Sequence, residues 1–208
     1  MTGGTPFWYA SRATGVVALL LFTAVLVLGL VVTRKGRLPG LPGFAVTSLH
    51  RNLSLLGLVF IVIHVLTAVL DGYVSIPVAS AVIPFASPYE RFWLGLGAVA
   101  FDLVTALITT SLIRGRLPRP AWRAVHLLAY LCWPAAFAHG LGAGGDLRHG
   151  LLFALAAGCA VLLVIAVTWR LAAAARELPR AARVAAVFAQ HTQRSQQPGS
   201  PSRERIPR

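Results

Sequence analysis

The sequence predicts an all-α integral membrane bundle of about five transmembrane helices. Three observations carry this. Of the 208 residues, 57% are apolar and only 12% charged, against roughly 25% charged in a soluble domain. Apolar runs of about 18 residues or more recur, each long enough to cross a bilayer. The basic residues behind the formal net charge of +13 sit in short clusters between those runs. That pattern sets membrane orientation; it is not a face shaped for nucleic acid. A secreted domain, a cytosolic enzyme and a disordered chain are excluded. The partner that the composition demands is the lipid bilayer, and no nucleic acid is expected.

In lipid every backbone polar group must be satisfied internally, so each run is read as a helix. The five segments are 13–33, 44–70, 92–113, 121–141 and 151–174. Gly and Pro punctuate the gaps, as RKGRLPGLPG at 34–43, RGRLPRP at 114–120 and GLGAGGD at 140–146. Residues 1–12 lack a positive n-region, so no cleaved signal is expected, and they are read as an extracytoplasmic N-terminus. Residues 13–174 form the membrane domain. The loop DGYVSIPVASAVIPFASPYER at 71–91 carries three prolines, which argue against a sixth span. It is read as a lid or re-entrant segment on the outer face.

After the last span, 175–192 is read as a basic amphipathic helix on the anionic cytoplasmic leaflet. Val184, Val187 and Phe188 share one face, with Arg180 and Arg183 elsewhere. Residues 193–208, rich in Ser, Gln, Pro and Arg, are read as a disordered basic tail.

The charge split orients the bundle. Arg34, Lys35, Arg37 and Arg51 lie in or near the first loop, and Arg114, Arg116, Arg119 and Arg123 in or near the third. Eight more arginines follow from Arg170 onward, whereas the other side has only Arg12, Arg91 and Arg148. A split of 16 against 3 puts the first and third loops and the C-terminus in the cytoplasm. The N-terminus is then outside, in a multi-pass protein of the plasma membrane.

Histidines carry the chemistry. Four of the six lie in two spans: His50 and His64 in the second, His126 and His139 in the fourth. Ionisable residues inside a membrane are costly and usually functional. His50 and His64 are 14 residues apart, which puts them about 40° apart on one face and roughly 21 Å apart along the axis. His126 and His139 are 13 apart, or roughly 20 Å. Both helices run outward from a cytoplasmic loop, so the pairs match in depth: His50 with His126, and His64 with His139. Each cross-helix pair can supply two axial ligands to one iron. Met1 is the sole methionine, so His/Met ligation is out and bis-His heme is the natural proposal. Thirteen residues leave His139 well off the face of His126, and Pro134 is expected to rewind the helix between them.

H-x13-H on one helix and H-x12-H on a second, within LHRNLSLLGLVFIVIHVLTAVLDGY and WRAVHLLAYLCWPAAFAHGLGAGGD, resembles the ferric reductase-like transmembrane domain, in a small actinobacterial form. The resemblance covers about residues 8 to 170. It implies two b hemes stacked across the membrane, ligated by His50, His64, His126 and His139. It also implies transmembrane electron transfer by an oxidoreductase membrane subunit. The donor would be a separate flavoprotein reductase or quinol. The acceptor would be extracytoplasmic: a ferric chelate, an FMN-binding protein, a methionine sulfoxide reductase or oxygen. The family core usually has six spans, against five here, and no FAD or NADPH site is expected in this chain.

Other residues are weighed beside these. Arg51 and Arg123 are candidates to pair with heme propionates, or else are positive-inside anchors. Asp102 is read as a structural hydrogen-bonding group towards Thr105 or Thr109, ahead of a role orienting an imidazole. Phe60, Tyr130, Trp133 and Phe137 are read as packing between the heme levels rather than as an electron relay. Asp146 with His149 forms a weak candidate metal site, and His191 is read as inert. Cys132 and Cys159 lie in apolar runs without CxxC or CxxCH, so they are small buried hydrophobes. The alternative function is a metal-ion or proton transporter using the intramembrane histidines. Such sites usually add carboxylates at the same depth, and Asp102 is the sole carboxylate inside a span.

Overall fold

A computed structural model describes residues 4–32, 42–72, 74 and 76–196. The described residues are helical, with no strand among them. Helix α1 runs Pro6–Val32, α2 Gly43–Leu70, α3 Arg91–Leu112, α4 Arg119–Leu127, α5 Ala129–Ala143 and α6 Gly150–Gln196. Five stretches are long and apolar enough to span: Pro6–Leu30, Gly43–Leu70, Arg91–Leu112, Arg119–Ala143 and Gly150–Arg176. The fourth is α4 and α5 end to end.

α1 starts earlier than its apolar run suggests, and the reason is a cap. Thr5 Oγ1 accepts a hydrogen bond from the Trp8 N–H at 3.0 Å, and Pro6 takes the first helical position, where its missing N–H costs nothing. The same Thr5 hydroxyl donates to Asp71 Oδ1 at 2.6 Å, joining the start of α1 to the end of α2.

By contacts the chain divides into two units, Met1–Ala166 and Val167–Arg208. In the first, α1 packs most extensively on α2, and α3 on α5. The two helix pairs meet only sparsely, with a cavity of about 2300 Å³ between them. Small residues permit the close approach within a pair, as where Gly57 of α2 faces the Phe22 ring. The buried core is thin: Ala100, Val104 and Cys132, with Phe22, Leu58 and Ile61 packed around them. Leu56, Val59, Leu66, Leu131, Val161 and Val164 are exposed along the spans. Such a surface suits hydrocarbon, not water.

Between α2 and α3 the chain makes a 3₁₀ turn at Val78–Ala81. Phe85 adopts a left-handed φ of 64°, and its ring fills the space over Gly95, where a Cβ would lie 2.1 Å from Phe85 Cδ1. Its carbonyl accepts from Arg91 Nε at 2.6 Å. Residues 76–90 are thus a structured cap on the N-terminal end of α3.

In the second unit the helix continues to Gln196, four residues into the segment read as disordered. Residues 197–208 and the basic stretch 33–41 lie outside the described residues. So does the arrangement of Val184, Val187 and Phe188 on their expected face.

Candidate functional site

The site is built from two facing pairs of imidazoles, called inner and outer for the side that the charge pattern assigns. His50 and His126 face one another with ring centroids 6.3 Å apart and planes at 59°. His64 and His139 do so at 6.1 Å and 79°. All four line the cavity. Depth matching across antiparallel pairs brings them together as the spacing expects.

Backbone carbonyls of neighbouring helices set the tautomers. His50 Nδ1 lies 3.0 Å from the Val25 carbonyl, His64 Nδ1 2.7 Å from Ser11 and His139 Nδ1 2.8 Å from Trp93. A carbonyl only accepts, so each Nδ1 carries the proton and donates it. Nε2 then keeps its lone pair, which is how a metal-bound imidazole is oriented. His126 is different: its Nδ1 is buried with no hydrogen-bond partner, and its ring stacks on Trp122 at 4.9 Å and 22°.

Three glycines clear room for these rings. A Cβ on Gly97 would lie 2.7 Å from His139, on Gly15 3.0 Å from His64, and on Gly29 3.4 Å from His50. Gly15 and Gly29 are 14 residues apart on α1, and so are His50 and His64 on α2. The antiparallel pair therefore repeats one contact at two depths. This match was present in the sequence and is a signal that attention to histidines alone misses.

Between the two histidines the fourth span tightens at Leu128, ahead of Pro134. An ideal helix would leave His139 about 140° from His126. Here Leu128 N–H donates to Val125 O at 2.9 Å and Leu131 N–H to Leu128 O at 3.0 Å. These are i to i−3 bonds, which wind the chain at about 120° per residue. The overwinding turns His139 back towards the face of His126. Pro134 sits within α5 without ending it.

Arg51 and Arg123 line the cavity towards the His50–His126 end, and so does Arg114, which the sequence reading did not single out. None of the three forms an ion pair among the described residues. Asp102 makes no side-chain hydrogen bond among them either, because Thr105 donates to the Phe101 carbonyl at 2.9 Å. Its expected threonine contact is therefore not made. Asp146 is held by Arg12 at 2.6 Å, and Arg12 lies 4.1 Å above the Trp8 ring. That pairing occupies Asp146 Oδ2. Trp133, midway between the pairs, donates Nε1–H to Thr23 Oγ1 at 2.9 Å and stacks on Phe137 at 4.9 Å.

Among the described residues, no three His, Cys, Asp or Glu side chains gather to hold a metal ion. Each pair offers two nitrogens and nothing more.

Comparison with known families decides the affiliation. The ferric reductase like transmembrane component family matches residues 14–137. The chain belongs to that family. This ferric reductase-like protein thereby falls among membrane components associated with electron transfer across the bilayer, a family that is generally heme-binding. The match takes in His50, His64 and His126 and stops two residues before His139. No curated protein and no solved structure matches it.

Proposed function

We propose that this ferric reductase-like protein is a two-heme conduit that passes electrons from the cytoplasmic side of the plasma membrane to an extracytoplasmic acceptor. His50 with His126, and His64 with His139, would hold the two b hemes. The observation that carries the reading is the spacing of the imidazole pairs. A metal–nitrogen bond of about 2.0 Å, plus about 1.2 Å from nitrogen to ring centre, puts trans imidazoles about 6.4 Å apart. The observed values are 6.3 and 6.1 Å.

The donor set agrees. Two nitrogens suit a metal that brings its own equatorial ligands, as a porphyrin does. A bare ion in a transporter needs more protein ligands than either pair provides. The cavity of about 2300 Å³ also exceeds the roughly 300–1,000 Å³ of a single small-molecule pocket.

A bound heme b supplies one-electron chemistry. The chain's own residues supply the rest. Val25, Ser11 and Trp93 carbonyls fix three ligand rings and raise their basicity. Gly15, Gly29 and Gly97 leave room for the rings. Arg51 and Arg123 offer cations to the propionates of the inner group. Apolar spans exclude water and keep the two levels roughly 20 Å apart along the helices. The donor is a separate flavoprotein reductase or quinol. The acceptor is a ferric chelate, oxygen, an FMN-binding protein or a methionine sulfoxide reductase.

The test is an optical spectrum of the detergent-purified protein, oxidised and dithionite-reduced, with heme counted per chain. Low-spin b-type bands at about two hemes per chain are expected. A colourless protein from heme-replete cells overturns the reading.

A further inference from the structure

The four histidines are not held alike. His50, His64 and His139 are each anchored through Nδ1 to a carbonyl on another helix. His126 is held by the face of Trp122, one turn earlier on the same helix, and its Nδ1 is buried and unpaired. Trp122 Nε1 is also buried without a partner, so neither of these two ring nitrogens is hydrogen-bonded among the described residues.

The helix carrying them is short. α4 has nine residues, none of them fully buried. It ends against the tightened turn at Leu128, two residues beyond His126. His50 and His64 share a helix of 28 residues, and His139 lies in one of 15. Loss of the hydrogen bond behind a ligating imidazole typically weakens metal binding by about 10- to 100-fold. Stacking does not replace it, because a ring face fixes the plane of the imidazole but gives Nδ1 no acceptor.

We propose that His126 is an exchangeable ligand, so that the inner site takes a neutral diatomic ligand of ferrous iron, such as carbon monoxide, in its place while the outer site does not. This rests on the two-heme reading. The exchange would swap one neutral donor, the His126 imidazole, for another, with no net movement of electrons or protons. Trp122 is the positioning residue, since it is what returns the ring to the metal. Electron transfer at the cytoplasmic side thereby becomes sensitive to small gases, at a point the outer pair does not share.

The experiment uses the full chain in detergent, reduced with dithionite, with heme counted before carbon monoxide is added. At two hemes per chain, about half of the reduced b-type band is expected to shift to the carbon monoxide form. In His64→Ala, which keeps the inner group, the whole remaining band shifts; in His50→Ala, which keeps the outer group, none does. Trp122→Ala speeds the reaction by about tenfold, in keeping with the lost support, whereas Trp122→Phe retains a stacking ring and stays near the parent rate. A full heme complement with no shift overturns the proposal, and so does a shift in the His50→Ala protein. The parent measurement decides even if a variant fails to fold. A chain without heme overturns the underlying reading instead, so the two failures are distinguishable.

Discussion

Gly97 decides where the His139 ring can lie. A Cβ there would meet the ring at 2.7 Å, against 3.0 Å for Gly15 with His64 and 3.4 Å for Gly29 with His50. The last is near ordinary contact distance, and the first requires movement. Gly97→Ala is therefore expected to lower heme per chain most, Gly15→Ala less, both at the outer pair, and Gly29→Ala, at the inner pair, little. Heme counts per chain on the three purified variants check the order. His64→Ala and His139→Ala should each leave about one heme per chain, the inner one, on the two-group reading. Retention of both groups in either variant contradicts the ligand assignment. Trp133 works differently. Its indole donates to Thr23, whose own hydroxyl donates to the Leu19 carbonyl at 2.7 Å. Trp133→Phe keeps a ring on Phe137 and leaves Thr23 partnered, so it should cost about 1 kcal/mol. Thermal unfolding followed by the heme band measures that, with heme content unchanged.

At the scale of the element, the informative feature is the fourth span. Its two halves are separated by i to i−3 bonds at Leu128, while Pro134 lies inside α5. Proline removes one donor and crowds the carbonyl four residues back, here that of Tyr130. Pro134→Ala restores the donor without touching the overwound turn. Both His pairs should survive it, with heme per chain unchanged and the melting temperature equal or higher. Loss of one heme would return the adjustment to Pro134. The five spans themselves were legible in the apolar runs, because lipid leaves the backbone no alternative to helix. The early start of α1 was less so: the Thr5–Pro6 cap is a local signal, but Phe7 to Arg12 dilutes the apolar run behind it. The break within the fourth span had no composition marker at all, since Leu128 is as good a helix former as its neighbours.

For the whole molecule, the orientation that the loop charges predict is open to a direct test. Ala86 lies in the cap between α2 and α3, and Gly115 in the 3₁₀ turn Arg114–Arg116, where nothing approaches its Cβ position. In intact cells, a membrane-impermeant maleimide should label Ala86→Cys and spare Gly115→Cys until the membrane is opened. Native Cys132 and Cys159 are buried and give little background. The reverse pattern would invert the direction of electron flow.

Residue order alone was enough for the membrane class, the five long apolar helices and the matched levels of His50 with His126 and His64 with His139. Those depend on hydropathy, loop charge and a constant rise per residue, all of which are local. Packing between helices settled which groups hold the rings, where the fourth span tightens, and that Arg12 pairs with Asp146. It also decided that three imidazoles are anchored and His126 is not. Each of these depends on atoms brought together from distant parts of the chain, such as Val25 with His50 or Trp93 with His139. A hydrogen bond is lost over a few tenths of an ångström and a modest rotation, a precision that helix packing fixes and residue spacing does not.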